Sequence, residues 1–375
     1  MTSPDHESTS GAGSFRFSEN NFDLVRLVAA GEVAVRHALH FLAPTRLTDF
    51  VSGLLVLVPG VPVFFFLSGY LISKSLERSP TNRDYFRNRA LRLFPALWAC
   101  IGVSLAMVVL SGYLSSVPWT AVKLGAWVVC QATVFQFWNP DFFREFGTGV
   151  VNGSLWSVSV EIQFYFVIWL VYRMLRRLPH ARLTVALALV MIAFVPLNAF
   201  KTEIGSGLDD ACGTVLASKL YRASFLPWFY LFMLGVVAQR IAYVIVPVLR
   251  DRCAAAVALY TACMLVDYSL WGIPQGNEIS AYLVPIMGAA VLALSYSRPK
   301  LGERILRGND FSYGLYVYHM PVINLALHLG APHALLSASA ALGGAFALAV
   351  ASWRFVERPF LRRKRGALRP AASRS

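Results

Sequence analysis

Arg26 and His37 stand eleven residues apart in the stretch NNFDLVRLVAAGEVAVRHALHF, Asn20 to Phe41. At 100° per residue this is about three helical turns, so the two side chains share one face roughly 16 Å apart along the axis. An imidazole titrates near neutral pH and is the side chain most used as a general base. A guanidinium in line with it suits an anion that enters from one end. Asp23, Glu32, Arg36 and His40 lie in the same stretch, and charged groups at bilayer depth face a bundle interior or a water-filled cavity. Taken alone, these residues also fit an amphipathic surface helix, or a histidine bonded into packing.

Three further stretches carry comparable groups. In TNRDYFRNRALRLFP (Thr81 to Pro95), Arg89 and Arg92 share a helical face, with Cβ atoms about 5–6 Å apart. Paired guanidiniums suit bidentate binding of phosphate, although loop arginines more commonly set topology at an acidic membrane surface. In GSLWSVSVEIQFYF (Gly153 to Phe166), Glu161 is a lone carboxylate within an apolar run. It needs a partner or a role: protonated and structural, or paired with Arg26, Arg36 or His37. Trp156 there also suits an interfacial belt. In FSYGLYVYHMP (Phe311 to Pro321), Tyr313, Tyr316 and His319 recur at i, i+3 and i+6, and His319 is the deepest of them.

The elements that must position these groups are hydrophobic. The 375 residues are 57% hydrophobic and 14% charged, with mean hydropathy +0.55. Soluble domains carry about 25% charged residues, so the composition predicts a polytopic membrane protein. In that setting the net charge of +14 belongs to cytoplasmic loops, membrane lipids and a polyanionic ligand, not to nucleic acid. The five cysteines show no metal-ligand spacing, and no metal is expected. The first nineteen residues hold no basic segment before an apolar core, so no cleaved signal peptide is expected.

With spans of about 20 residues, the apolar runs supply about eleven candidates. Basic clusters at Lys74–Arg92, Arg173–Arg182, Arg240–Arg252, Arg298–Arg307 and Arg358–Arg374 all become cytoplasmic if one candidate between Arg92 and Arg173 does not cross. The weakest is Trp119 to Trp138, which contains Lys123, Gln131 and Gln136. The expectation is an all-α integral membrane helix bundle of about ten transmembrane helices plus one re-entrant or interfacial segment, with both termini cytoplasmic in the inner membrane. Residues 1–19 and 361–375 read as polar cytoplasmic tails, and residues 20–360 as a single membrane domain without internal repeat.

The order of these stretches resembles the acyltransferase family 3 integral membrane proteins from about Phe17 to Phe360. The matching residues are Asn21, Asp23, Arg26 and His37; GVPVFFFLSGYL (Gly60 to Leu71); Arg89, Arg92 and Pro95; LWSVSVEIQFY (Leu155 to Tyr165); Ser312 to Pro321; and ERPF (Glu357 to Phe360). The resemblance implies an acyl-CoA donor, most often acetyl-CoA, and a hydroxyl of a surface glycan or lipid-linked sugar as acceptor. It places Arg89 and Arg92 on the donor phosphates, Arg26 along the donor's path, and His37 at the transfer step, as base or as acyl carrier. Glu161 would orient or balance His37, while His319, Tyr316, Trp156 and Ser157 would serve the acceptor. Ile162 stands where a second glutamate is frequent, and a stand-alone membrane type is expected. A small natural product such as a macrolide is the rival acceptor. A secondary transporter is the rival class, and it would be expected to show inverted repeats.

Overall fold

A computed structural model describes residues 19–272, 277–298 and 300–366. The tails expected over 1–19 and 361–375 lie largely outside them. The described residues form helices and no strand. The principal ones are α1 (Phe22–Leu42), α2 (Arg46–Leu55), α3 (Gly60–Arg78), α4 (Asn82–Leu110), α5 (Ala121–Gln131), α6 (Trp156–Leu175), α7 (His180–Ala199), α8 (Phe229–Arg240), α9 (Ala242–Leu249), α10 (Cys253–Trp271), α11 (Val284–Tyr296), α12 (Ser312–His328) and α13 (Leu335–Ser352).

Six helical segments among the described residues are long and apolar enough to cross a bilayer, and seven if the bent pair Ala281–Tyr296 and Lys300–Leu306 is one span. The protein is thus an all-α, polytopic membrane bundle. Its outer surface is apolar: on α7, Val185, Leu189 and Ile192 are exposed, as a lipid-facing helix requires.

The interior is organised around α1, α3, α8 and α12. Asn21 does not cap its own helix. Its side chain instead donates to the carbonyl of Ser297 (2.6 Å) and accepts the N–H of Gly302 (2.8 Å), clamping the start of α1 to the end of α11. α3 and α8 approach through two glycines. A Cβ on Gly69 would lie 1.8 Å from the backbone oxygen of Phe232, and one on Gly235 would lie 2.0 Å from that of Phe66. Small residues let membrane helices approach closely enough for dispersion to hold them. Gly69→Ala should therefore cost about 1–3 kcal/mol or more by overpacking, read as a lower melting temperature in detergent. Gly125→Ala on α5, with nothing within 4 Å, should leave it unchanged.

One buried ionic knot fixes which helix ends share a face. Arg240 at the end of α8 bonds Glu77 at the end of α3, His180 Nδ1 (2.6 Å) and Thr184 Oγ1 (2.9 Å) on the first turns of α7. Tyr172, near the end of α6, donates to Glu77 (3.1 Å). The sequence clusters around Arg78, Arg176 and Arg240 thus gather on one side, here termed the basic face. α4 has 29 residues, a length of roughly 44 Å. That exceeds the ~30 Å hydrocarbon core, so α4 extends beyond it and carries Arg89 and Arg92 at the basic face.

α5 has only 11 residues, and the chain then doubles back irregularly to Asn152 before α6. Non-helical backbone at membrane depth must be satisfied by protein. Gln131 donates to the carbonyls of Gln136 and Trp138, and Asn324 of α12 donates to those of Val150 and Val151. Between α7 and α8 the chain forms two short helices, Lys201–Cys212 and Leu216–Arg222.

Candidate active site

A cavity of ≈ 370 Å³ runs inward from the basic face between α1, α3, α4, α6 and α12. Arg26, Arg89, Arg92 and Asp310 stand at its basic end, Ser68, Glu161 and Tyr165 on its wall, and Phe64, Ser157 and Tyr316 at its inner end. The three arginines are not equivalent. Asp310 Oδ2 takes the Arg92 guanidinium and lies 3.7 Å from that of Arg26, while Asp310 Oδ1 accepts the N–H of Ser312 (3.1 Å). One carboxylate thus ties two arginines to the start of α12, the helix that carries Tyr316 and His319. Burial pushes the Asp310 carboxyl up, but Arg92, Arg26 and the Ser312 bonds more than offset this and hold it below the usual carboxylate range. Arg89 differs. It donates through Nη2 to Ser75 Oγ (3.2 Å), makes no ion pair among the described residues, and has a buried Nε without a hydrogen-bond partner. A charged donor facing a cavity in this state is suited to an anion.

Beyond the inner end of the cavity, His37 meets His319. Nδ1 of His37 lies 2.9 Å from Nε2 of His319, with the rings 18° from parallel. His319 is fully buried, and its Nδ1 lies 3.3 Å from the carbonyl oxygen of Leu315. A carbonyl only accepts, so His319 Nδ1 carries the proton, and Nε2 of the neutral ring is an acceptor. His37 Nδ1–H must then donate to it, which leaves the lone pair on His37 Nε2. That is the tautomer a general base needs, fixed by a partner on its other nitrogen. The dyad lies five residues from the end of α1 at Leu42, about 7.5 Å by helical rise, and so is nearer the far face than the basic one.

The helix carrying His319 is held by its own proline. Pro321 has no N–H, so the Val317 carbonyl loses its helical partner; Asn152 (2.9 Å) and Cys100 (3.2 Å) supply one instead. Tyr316 Oη lies 2.6 Å from Ser157 Oγ, and its ring meets that of His319 edge-on at 5.8 Å. Tyr316 therefore separates the cavity from the dyad.

Of the expected site residues, Arg26, Arg89, Arg92, Glu161, Ser157 and Tyr316 line this one cavity, and His37 and His319 meet just past it. Two placements differ from expectation. Glu161 accepts from Ser68 (2.8 Å) and Tyr165 (2.7 Å), not from His37. It lies one turn from Ser157 toward the basic face, whereas the dyad lies one turn past Tyr316 the other way, roughly 10 Å of helix in all. Trp156 packs against Trp228 and Phe65, with centroids 5.2 and 6.5 Å away, and is not part of the cavity wall. Asp310 escaped sequence reasoning. Its signal was an acid immediately ahead of the FSYG stretch, in a chain where acids are scarce. Among the described residues no group of three or more His, Cys, Asp or Glu could hold a metal ion.

The profile of the acyltransferase domain family matches residues 19–354. The chain belongs to that family. It is 28% identical over 375 residues to Nodulation protein 10 of Rhizobium leguminosarum bv. viciae, covering 96% of each chain. The O-acetyl transferase of Shigella phage Sf6 is 27% identical over 356 residues, which is 92% of this chain and 96% of the phage protein. Peptidoglycan O-acetyltransferase OatA of Listeria monocytogenes is also 27% identical, over 82% of this chain but only 51% of its own length. No solved structure matches. The molecule is therefore a polytopic membrane acyltransferase, with a basic cavity leading to a histidine dyad.

Proposed function

We propose that this acyltransferase moves an acyl group, acetyl in the first instance, from acyl-CoA to a hydroxyl of a surface glycan or lipid-linked sugar. The observation that carries the reading is a histidine with a bare Nε2 just past the inner end of a cavity whose mouth holds an arginine without an ion-pair partner among the described residues. Two of the relatives, an O-acetyl transferase and a peptidoglycan O-acetyltransferase by name, support a glycan acceptor. The basic face is proposed to be cytoplasmic, by the excess of arginine there. Counting α1, α8 and α12 with the apolar spans then yields about ten crossings in the inner membrane, with both termini inside. α5 would be the non-crossing segment, and residues 20–360 one membrane domain.

In this reading the donor's phosphates meet Arg89 first, with Arg26 and Arg92 as the flanking positive field. The neutral pantetheine arm follows the wall of Ser68, Glu161 and Tyr165 past Tyr316. His37 Nε2 takes the proton of the acceptor hydroxyl as its oxygen attacks the thioester carbonyl. The tetrahedral intermediate collapses with cleavage of the C–S bond, and His37 returns the proton to the departing thiolate. The products are the O-acyl ester and free CoA.

The test is transfer of labelled acetyl from acetyl-CoA to purified envelope glycan by the purified protein, with the product recognised as a base-labile ester. Wild type should form it, and Arg89→Ala should raise the KM for acetyl-CoA roughly 10- to 150-fold, the value of a hydrogen bond to a charged group. An ester formed without acetyl-CoA dependence, or an unchanged KM in Arg89→Ala, contradicts the donor assignment.

A further inference from the structure

Roughly 100° around α1 from the Arg26–His37 stripe lies a second polar cluster that the transfer chemistry does not use. Glu32 is 4% exposed, and its Oε2 accepts the N–H of Gly60 at 3.1 Å. Its Oε1 lies 3.2 Å from Arg36 Nε but off-axis, and makes no hydrogen bond. Arg36 also donates to Asn277 Oδ1 (3.4 Å). From α10, Tyr260 (7% exposed) and Tyr268 bring two buried phenol hydroxyls, neither with a hydrogen-bond partner among the described residues. Glu32 is within electrostatic reach of both phenols, and Arg36 of both Tyr268 and His37. Arg36 therefore joins this cluster to the catalytic dyad.

We propose that Glu32, Arg36, Tyr260 and Tyr268 form the subsite that binds the acceptor's sugar ring, an inference that rests on the function proposed above. Buried hydroxyls are ordinarily paired, and phenylalanine would fill either tyrosine position without leaving an orphan. Three buried polar atoms without a hydrogen bond, on groups within electrostatic reach of one another, mark a ligand's hydrogen-bonding groups. Their chemistry narrows its class. The Glu32–Arg36 pair is neutral overall: the carboxylate repels phosphate, and the guanidinium repels ammonium. Carboxylate acceptor, guanidinium donor and phenols able to do both are the complement of neutral hydroxyls, while the tyrosine rings supply an apolar surface for the C–H face of a pyranose. The site reaches from Glu32, about 7.5 Å deeper than His37, to Tyr268, three residues from the far end of α10 at Trp271. A sugar entering from the far face would thus hold one hydroxyl at His37 and others here.

The experiment is transfer of labelled acetyl from saturating acetyl-CoA to dilution series of two probes, purified envelope polysaccharide and the extracted lipid-linked sugar fraction. It uses purified full-length wild type, Tyr260→Phe/Tyr268→Phe and Glu32→Gln. The double variant should raise the acceptor KM roughly three- to tenfold per hydroxyl, with the KM for acetyl-CoA unchanged and the melting temperature not lowered. Glu32→Gln should raise it further. The probe on which the shift appears identifies the acceptor's source. If both variants keep the wild-type acceptor KM on both probes while the double variant melts higher, the hydroxyls are merely unsatisfied and the subsite is wrong. Absence of transfer by wild type overturns the parent function instead.

Discussion

His37→Ala should reduce acyl transfer by roughly 10²- to 10⁴-fold, the range that general acid–base catalysis supplies, while leaving the KM for acetyl-CoA close to wild type. The separation follows from the geometry. His37 is not part of the cavity wall, whose basic end is built by Arg26, Arg89, Arg92 and Asp310. The alanine variant keeps α1's packing through Ala30, Val33 and Ala34, which are essentially inaccessible, so loss of activity should not be loss of fold. Rates measured in membranes, normalised to protein amount by immunoblot, decide it. A variant within a factor of three of wild type would remove His37 from the chemistry.

The second large effect is expected at His319. This residue was expected to serve the acceptor, yet it is fully buried and bonded to His37. In the proposed mechanism its role is positioning: Nε2 of His319 accepts the hydrogen bond of His37 Nδ1–H and so keeps the lone pair on His37 Nε2. His319→Ala frees the His37 ring to rotate and to protonate at the wrong nitrogen. Loss of an orienting partner costs ~10⁴-fold in kcat in the Ser-His-Asp triad, where the partner is a full negative charge. A neutral imidazole should matter less, on the order of a hundredfold. His319→Gln, whose amide oxygen can accept the same proton, should recover part of the loss, with the KM for the acceptor unchanged in both. A rise in acceptor KM with kcat preserved would return His319 to substrate contact.

The types of residue at the site were legible in the chain because polar side chains are so rare in membrane runs. Arg26, His37, Glu161 and His319 stand out against leucine and valine, and helical spacing alone aligns the first two. The break between α12 and α13 at Leu329–Ala334 is legible too, since Gly330 and Pro332 interrupt the apolar run there. Partnerships were not. His37 and His319 are 282 residues apart, and whether they touch depends on the axial register of α1 against α12. That register is set in part by Asp310, which holds Arg26 and Arg92 while accepting the Ser312 N–H at the start of α12. Glu161 went astray for the same reason, because the register of α6 hands it to Ser68 and Tyr165. α8 has 12 residues, most of them buried, and its close packing against α3 depends on the Gly69–Gly235 approach, which sequence spacing does not reveal.

In the proposed mechanism donor and acceptor meet across the membrane through this one molecule. Purified protein in sealed liposomes would receive labelled acetyl-CoA, which does not cross bilayers, on one side and envelope glycan on the other. Ester label should appear on the glycan in the fraction of molecules whose basic face meets the donor, and His37→Ala should abolish it. Label that appears only when donor and glycan share a compartment would contradict the passage from Arg89 to His37.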